Sequence, residues 1–303
     1  MSQGLFDLQV NGFAGVDFQQ ADLSENQLAK AVNALLRHGT DRILLTLITD
    51  RISSLAAKLE RIEKFRAANQ TIRKVIVGYH IEGPYLSEKN GYRGAHQAEI
   101  MKDPDTHELD LLQRAAGHNI RLVTIAPERQ GSPEFIRHAV GTGVRISLGH
   151  TDADPTAIDH AIRAGATLCT HLGNGCPSEM QRHDNIVQRL LCRDELTACF
   201  IPDGIHVPFF ALKNYLRVKP RDKVLFTTDC MAAAGAPAGR YQIAHHTVEV
   251  GKDRIVREPG KTNFAGSALS PDEGILNLQK ELAYTEAEAR AKFGSEVAKA
   301  LVL

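Results

Sequence analysis

Glu82 closes the run Val75-Ile76-Val77-Gly78-Tyr79-His80-Ile81-Glu82, and Gly83-Pro84 follows at once. Such a β-branched run reads as a strand buried on both faces, and Gly-Pro cannot continue it, so Glu82 is expected at the strand's C-terminal mouth. Three later apolar runs end the same way, on Gly149-His150-Thr151, Thr170-His171-Leu172 and Thr228-Asp229-Cys230. Any one of these residues alone reads as a hydrogen-bonded loop or rim group. Together the four endings supply Glu, His, His and Asp, the donors of a metal hydrolase. Zinc or a similar divalent ion in a catalytic site takes His and carboxylate ligands from the protein and leaves a position open for water. Glu82, His150 and His171 meet that need. Asp229 then suits a general base that takes a proton from an activated water and returns it to a leaving group. Its alternative is a helix N-cap.

Residues so far apart in sequence meet only if a fold gathers strand ends. Strands are expected at 5–10, 42–46, 75–82, 120–126, 144–148, 167–170, 197–201 and 224–228. Between them, Leu28, Val32, Leu35 and Leu36 repeat at helical spacing before His38-Gly39, and Leu55, Leu59 and Ile62 repeat it again. Further helices are expected at 133–139, 155–164, 185–191 and 208–216, three of them with Pro where a first turn tolerates it. Eight such units make an α/β chain of the (β/α)8 TIM-barrel type, whose active site lies at the C-terminal ends of its strands. The expected organisation is a single catalytic barrel over 1–303, with a small β insertion at 241–256 that turns at Gly251-Lys252-Asp253. Ile275, Leu278 and Leu282 give a closing helix.

The size and balance of the chain fit that architecture. Its 303 residues, 43% hydrophobic, can bury a core as large as a barrel needs. Lys+Arg and Asp+Glu balance at 36 each, so no bulk basic field recruits nucleic acid or an acidic membrane, and a charged ligand must be held by local groups. Cys169, Cys176, Cys192, Cys199 and Cys230 are scattered without a CxxC spacing, against a disulfide framework or a structural zinc site. No apolar run approaches membrane-spanning length, and Met1-Ser2-Gln3-Gly4 leads almost directly into a strand without the features of a leader. A cytoplasmic location is expected. His245-His246 reads as a surface pair, because neighbours on a strand point to opposite faces. Cys230 reads as a packing residue rather than a nucleophile. Gly12 to Gly15 lacks the spacing of a dinucleotide fingerprint.

Eight short motifs run in a familiar order: Asp7-Leu8-Gln9-Val10-Asn11-Gly12, His80-Ile81-Glu82-Gly83-Pro84, Gly94-Ala95-His96, Leu148-Gly149-His150-Thr151, Thr170-His171-Leu172-Gly173-Asn174, Asp203-Gly204-Ile205-His206-Val207, Thr228-Asp229 and Ala265-Gly266-Ser267. Over nearly its whole length the chain resembles the N-acetylglucosamine-6-phosphate deacetylases of the amidohydrolase superfamily. The resemblance implies metal ligands at Glu82, His150 and His171, and a catalytic acid/base at Asp229. It implies that His96 contacts the acetyl carbonyl, and that Asn174, Gly175, Arg182 and His206 hold the sugar phosphate, with His206 reaching a neighbouring subunit's site in a homodimer. Gln9-Val10-Asn11 stands where many amidohydrolases carry His-x-His for a second metal, so one divalent ion is expected, zinc foremost, with iron, manganese or cobalt as substitutes. The small β-sandwich usual in the family is not expected in this chain, and Asn174-Gly175-Cys176-Pro177 replaces the family's Asn-Ala-Met-Pro. The expected activity is deacetylation of an N-acetyl amino sugar, foremost N-acetylglucosamine 6-phosphate. The alternatives are an amidohydrolase acting on another N-acyl substrate and a metal-binding protein without turnover. Asp229 separates the last from the others, since a metal holder needs no free carboxylate beside its ligands.

Overall fold

The computed structural model describes residues 4–260 and 264–302. Eight parallel strands stand in chain order: β1 (Leu5–Val10), β2 (Thr40–Ile48), β3 (Ile76–Glu82), β4 (Ile120–Ile125), β5 (Arg145–Leu148), β6 (Leu168–Cys169), β7 (Thr197–Phe200) and β8 (Val224–Phe226). A helix follows each strand before the next begins, which is the (β/α)8 barrel expected. The ring is drawn shut between its first and last strands. Asn11 N donates to Cys230 O at 2.8 Å, and Val10 bridges Cys230 in parallel. Asp7, fully buried in β1, accepts the hydroxyls of Thr227 and Thr228 at 2.5 Å each and the Thr228 amide at 3.1 Å. Burial raises the Asp7 pKa even against these donors.

The barrel interior is filled in layers. Phe6, Leu8, Leu44, Leu122, Leu168, Cys199 and Leu225 form one apolar cluster with Val297, Ala298 and Leu301. The last three come from the helix Ser295–Leu301. That helix follows Phe293, whose carbonyl accepts from Phe6 N at 2.6 Å near the start of β1, so the helix closes the N-terminal mouth. Nearer the other mouth the fill turns polar: His80 Nε2 meets Thr124 Oγ1 at 2.7 Å, and Thr170 Oγ1 meets Thr124 at 2.7 Å and Ser147 at 2.6 Å. Outside the strands, Glu25–Arg37 shows how the helices are specified. Ser24 and Gln27 form a reciprocal capping box, and Leu28, Ala31, Val32 and Leu35 turn to the core.

Pattern reading misplaced some boundaries. Val75 ends a short helix, Gln70–Val75, and the strand begins at Ile76. That helix is set by its cap rather than by periodicity: Asn69 Oδ1 accepts from the amides of Thr71 and Ile72. Thr106–Ala115, Glu286–Lys292 and Ser295–Leu301 are further helices beyond those expected. The insertion is longer than 241–256. It is a four-stranded antiparallel sheet of β9 (Gly239–Ile243), β10 (His246–Val250), β11 (Ile255–Arg257) and β12 (Phe264–Ser267). Its apolar side, with Ile243, Val248, Val250 and Val256, packs on Met231, Ala232 and Ala233 and on Ile48 at the end of β2. The cysteines are all unpaired, and among the described residues no helix is long and apolar enough to cross a membrane.

Asp7→Ala would leave the Thr227 and Thr228 donors buried without an acceptor, and is expected to lower the unfolding free energy by about 2–4 kcal/mol. Urea denaturation followed by circular dichroism checks this. An unchanged midpoint would mean that the strand pairing closes the ring without Asp7.

Candidate metal centre and active site

The four expected strand ends converge. Glu82 Oε1 lies 3.1 Å from His171 Nε2 and 3.3 Å from His150 Nε2, and the two Nε2 atoms are 3.1 Å apart. All three residues are buried. His150 Nδ1 lies 2.8 Å from the Tyr92 carbonyl, which can only accept, so this nitrogen carries the proton of the neutral ring. The Nε2 lone pair of His150 is left pointing into the cluster. Two imidazole nitrogens and a carboxylate oxygen, buried and aimed at one another, form a donor set that suits a divalent cation. Burial alone would raise the Glu82 pKa, yet the neighbouring imidazoles hold it well below the ordinary carboxylate range. Burial opposes charge on His171, and Glu82 outweighs it, raising the His171 pKa.

The backbone is bent to make this meeting possible. His150, His171 and Asp229 have φ of 49°, 29° and 49°, in the left-handed region that residues other than glycine seldom occupy. Each reversal at a strand terminus turns a side chain back over the barrel mouth, where a continued strand would carry it past. Gly175 presses its bare backbone on the His150 ring: a Cβ there would come within 2.9 Å of Nδ1. Glycine at this position is therefore part of how the ring is held.

Asp229 does not cap a helix, since the helix that follows it is Pro271–Leu282, with Ser270 as its cap. Its Oδ1 accepts from Asn11 Nδ2 at 2.7 Å. Burial and the Glu82 charge push the Asp229 pKa up to about 7, against His171, His206 and Asn11, which lower it. A carboxylate so placed can hold or release a proton near neutral pH. His96 is buried with its ring centroid 4.5 Å from that of His150, and burial and the His150 charge pull its pKa down to about 3, so it is neutral at working pH.

The remaining candidates divide. Asn174 Nδ2 donates to the His171 carbonyl at 3.1 Å, beside Gly175. His206 Nδ1 pairs with Asp203 Oδ2 at 2.6 Å, and His206 is among the groups that lower the Asp229 pKa. Arg182 is exposed and makes no hydrogen bond or ion pair among the described residues. No second histidine pair faces the cluster from β1; both polar atoms of the Gln9 amide are buried without a partner among the described residues. Cys230 is buried with its pKa raised well above the usual thiol value, first by burial, so it is inert packing as expected.

Pattern reading missed three contributors. Thr49 and the Tyr92 carbonyl orient His96 and His150. His246 is the third, and it corrects the surface reading of His245-His246. His245 is exposed, but His246 Nε2 is buried without a partner among the described residues, and the His246 charge depresses the His96 pKa. Strand alternation does not govern the pair: His245 lies in the turn between β9 and β10, and only His246 stands on a strand.

No family model matches the chain. It is 32% identical over 283 residues to the N-acetylgalactosamine-6-phosphate deacetylase of Escherichia coli O157:H7, covering 93% of this chain and 73% of that protein. It is 30% identical over 279 residues to the N-acetylglucosamine-6-phosphate deacetylase of Bacillus subtilis strain 168, covering 91% of this chain and 69% of that one. The chain belongs to the N-acetylglucosamine-6-phosphate deacetylase family of the amidohydrolase superfamily. Among solved structures, the Mycobacterium smegmatis N-acetyl-D-glucosamine-6-phosphate deacetylase in complex with N-acetyl-D-glucosamine-6-phosphate superposes with a TM-score of 0.88 at 29% identity, over 99% of this chain and 77% of that chain. The Pasteurella multocida deacetylase gives 0.87 at 28% identity.

Purified protein is expected to retain about one divalent ion per chain through dialysis, and His150→Ala or His171→Ala to lose it. Mass-spectrometric metal analysis checks both. Two retained equivalents would contradict a single centre.

Proposed function

We propose that the chain hydrolyses the acetamide of an N-acetyl amino sugar 6-phosphate, foremost N-acetylglucosamine 6-phosphate, to acetate and the free amine. The observation that carries this reading is Asp229, a buried carboxylate beside the Glu82–His150–His171 set that coordination alone does not require. A divalent cation held by those three residues, zinc foremost, supplies Lewis acidity toward the acyl oxygen and makes water easier to deprotonate. Asp229 accepts the proton of the attacking water as its oxygen bonds to the acyl carbon. Asp229 then returns that proton to nitrogen as the carbon–nitrogen bond breaks, so that an amine rather than an amide anion departs. His96 donates to the acyl oxygen as negative charge grows there. The relatives named above, deacetylases of N-acetylglucosamine and N-acetylgalactosamine 6-phosphates, support both the reaction and the substrate class.

Asn174, Gly175, Arg182 and His206 hold the anionic end. With a formal net charge of zero, the chain has no general attraction for phosphate, so local donors supply the preference. The Arg182 fork stays charged at any working pH and matches phosphate oxygens. The expected homodimer and the cytoplasmic location stay within this proposal, with sedimentation velocity and cell fractionation as their checks.

An acetate-release screen of N-acetyl sugars, each with and without 6-phosphate, tests the reading, and release from none of them would reject it. Asp229→Asn keeps size and polarity and removes the base. Normal metal content with turnover lowered by roughly a hundredfold or more is expected, and near-normal acetate release would return Asp229 to a structural role. Arg182→Ala is expected to raise KM for the 6-phosphorylated sugar by about tenfold while leaving the unphosphorylated one almost unaffected, because it removes binding remote from the reacting bond. Equal losses on both would favour the alternative of a different N-acyl substrate, which the exposure of Arg182 makes worth testing.

A further inference from the structure

Thr49 follows the end of β2 and is buried beneath the mouth of the barrel. Its Oγ1 lies 2.7 Å from His96 Nδ1 and 3.4 Å from the backbone oxygen of Glu82. The hydroxyl can donate its proton to His96 Nδ1, or donate it to the Glu82 carbonyl while accepting an Nδ1–H, and the two distances decide between these arrangements. Hydrogen bonds from O–H span about 2.5–3.0 Å, which admits the imidazole nitrogen and leaves the carbonyl beyond good reach. With Nδ1 as acceptor, the single N–H of the neutral ring must sit on Nε2. Gly83 makes room for the hydroxyl at this place, since a Cβ there would collide with Oγ1.

We propose that Thr49 is a positioning residue that fixes His96 in the Nε2–H tautomer, so that the ring presents a donor and not a lone pair to the acyl oxygen of the substrate. This inference rests on the reading of His96 as the residue that faces the acyl group. In the opposite tautomer the Nε2 lone pair would meet the carbonyl oxygen, and the repulsion would grow as that oxygen gains charge. The preference is built into the packing before any substrate arrives: the ring is buried, with the Thr49 hydroxyl at one nitrogen and the His150 ring at its side.

The test joins kinetics to a direct observation of the proton. In nitrogen-15 spectra of the zinc-loaded protein, with His96 assigned by comparison with His96→Gln, Nδ1 is expected at the unprotonated position and Nε2 at the protonated one. The reverse assignment in the unaltered protein overturns the proposal, even where a Thr49 variant fails to fold. Thr49→Val replaces the hydroxyl by a methyl of similar size; metal content should hold, KM should change little, and kcat should fall on the order of a hundredfold, the scale for losing one oxyanion donor. Thr49→Ser should restore most of the activity and the wild-type His96 signals. Equal losses in the two variants, or a Thr49→Val enzyme as fast as wild type, would overturn the role. Absence of acetate release from the unaltered protein would instead reject the deacetylase reading, while the nitrogen-15 assignment would still decide whether Thr49 sets the tautomer.

Discussion

The structure depends on bringing one carboxylate and two imidazole nitrogens together in a buried cluster. Glu82 Oε1 and the Nε2 atoms of His150 and His171 lie within 3.3 Å of one another in a buried cluster. A buried carboxylate is costly unless compensated, and facing lone pairs repel. A divalent cation reverses both effects, turning a costly grouping of side chains into a binding determinant. The placement of these donors is thus explained by the ion they suit, not by folding stability.

Everything around the cluster serves to keep it in place. The ring of strands is tied between β1 and β8 by Asp7, and the apolar plug under Ser295–Leu301 leaves the opposite mouth for chemistry. The left-handed backbone at His150, His171 and Asp229 concentrates strain at the site. A barrel tolerates this because the layers beneath are packed and hydrogen-bonded, as the His80, Thr124, Ser147 and Thr170 network illustrates. Asp229 shares the same surroundings yet differs in function: it accepts from Asn11 and feels the Glu82 charge, so its proton is held near the point of release.

Much of this was legible because strand ends are punctuated. Gly83-Pro84 after Glu82, and glycine or threonine flanking His150, His171 and Asp229, mark where buried runs stop, and a barrel brings such stops to one rim. What escaped the sequence acts through tertiary contact. Any residue at 92 could lend its carbonyl to His150, so Tyr92 leaves no signature in its type. Thr49 is one more threonine until the fold sets it against His96. For His245 and His246 the alternation rule did not apply, because His245 lies in the turn before β10 and only His246 stands on the strand. The seven residues of Ser295–Leu301 are too few for a helical period to stand out, although their burial under the strands is what seals the interior.

The central claim is that Glu82, His150 and His171 together bind a single divalent cation. X-ray absorption at the zinc edge of the loaded protein tests it most directly. The account predicts a first shell of nitrogen and oxygen only, with outer-shell scattering from two imidazoles, the number in the cluster. A sulfur scatterer, or a shell without imidazole, would contradict it.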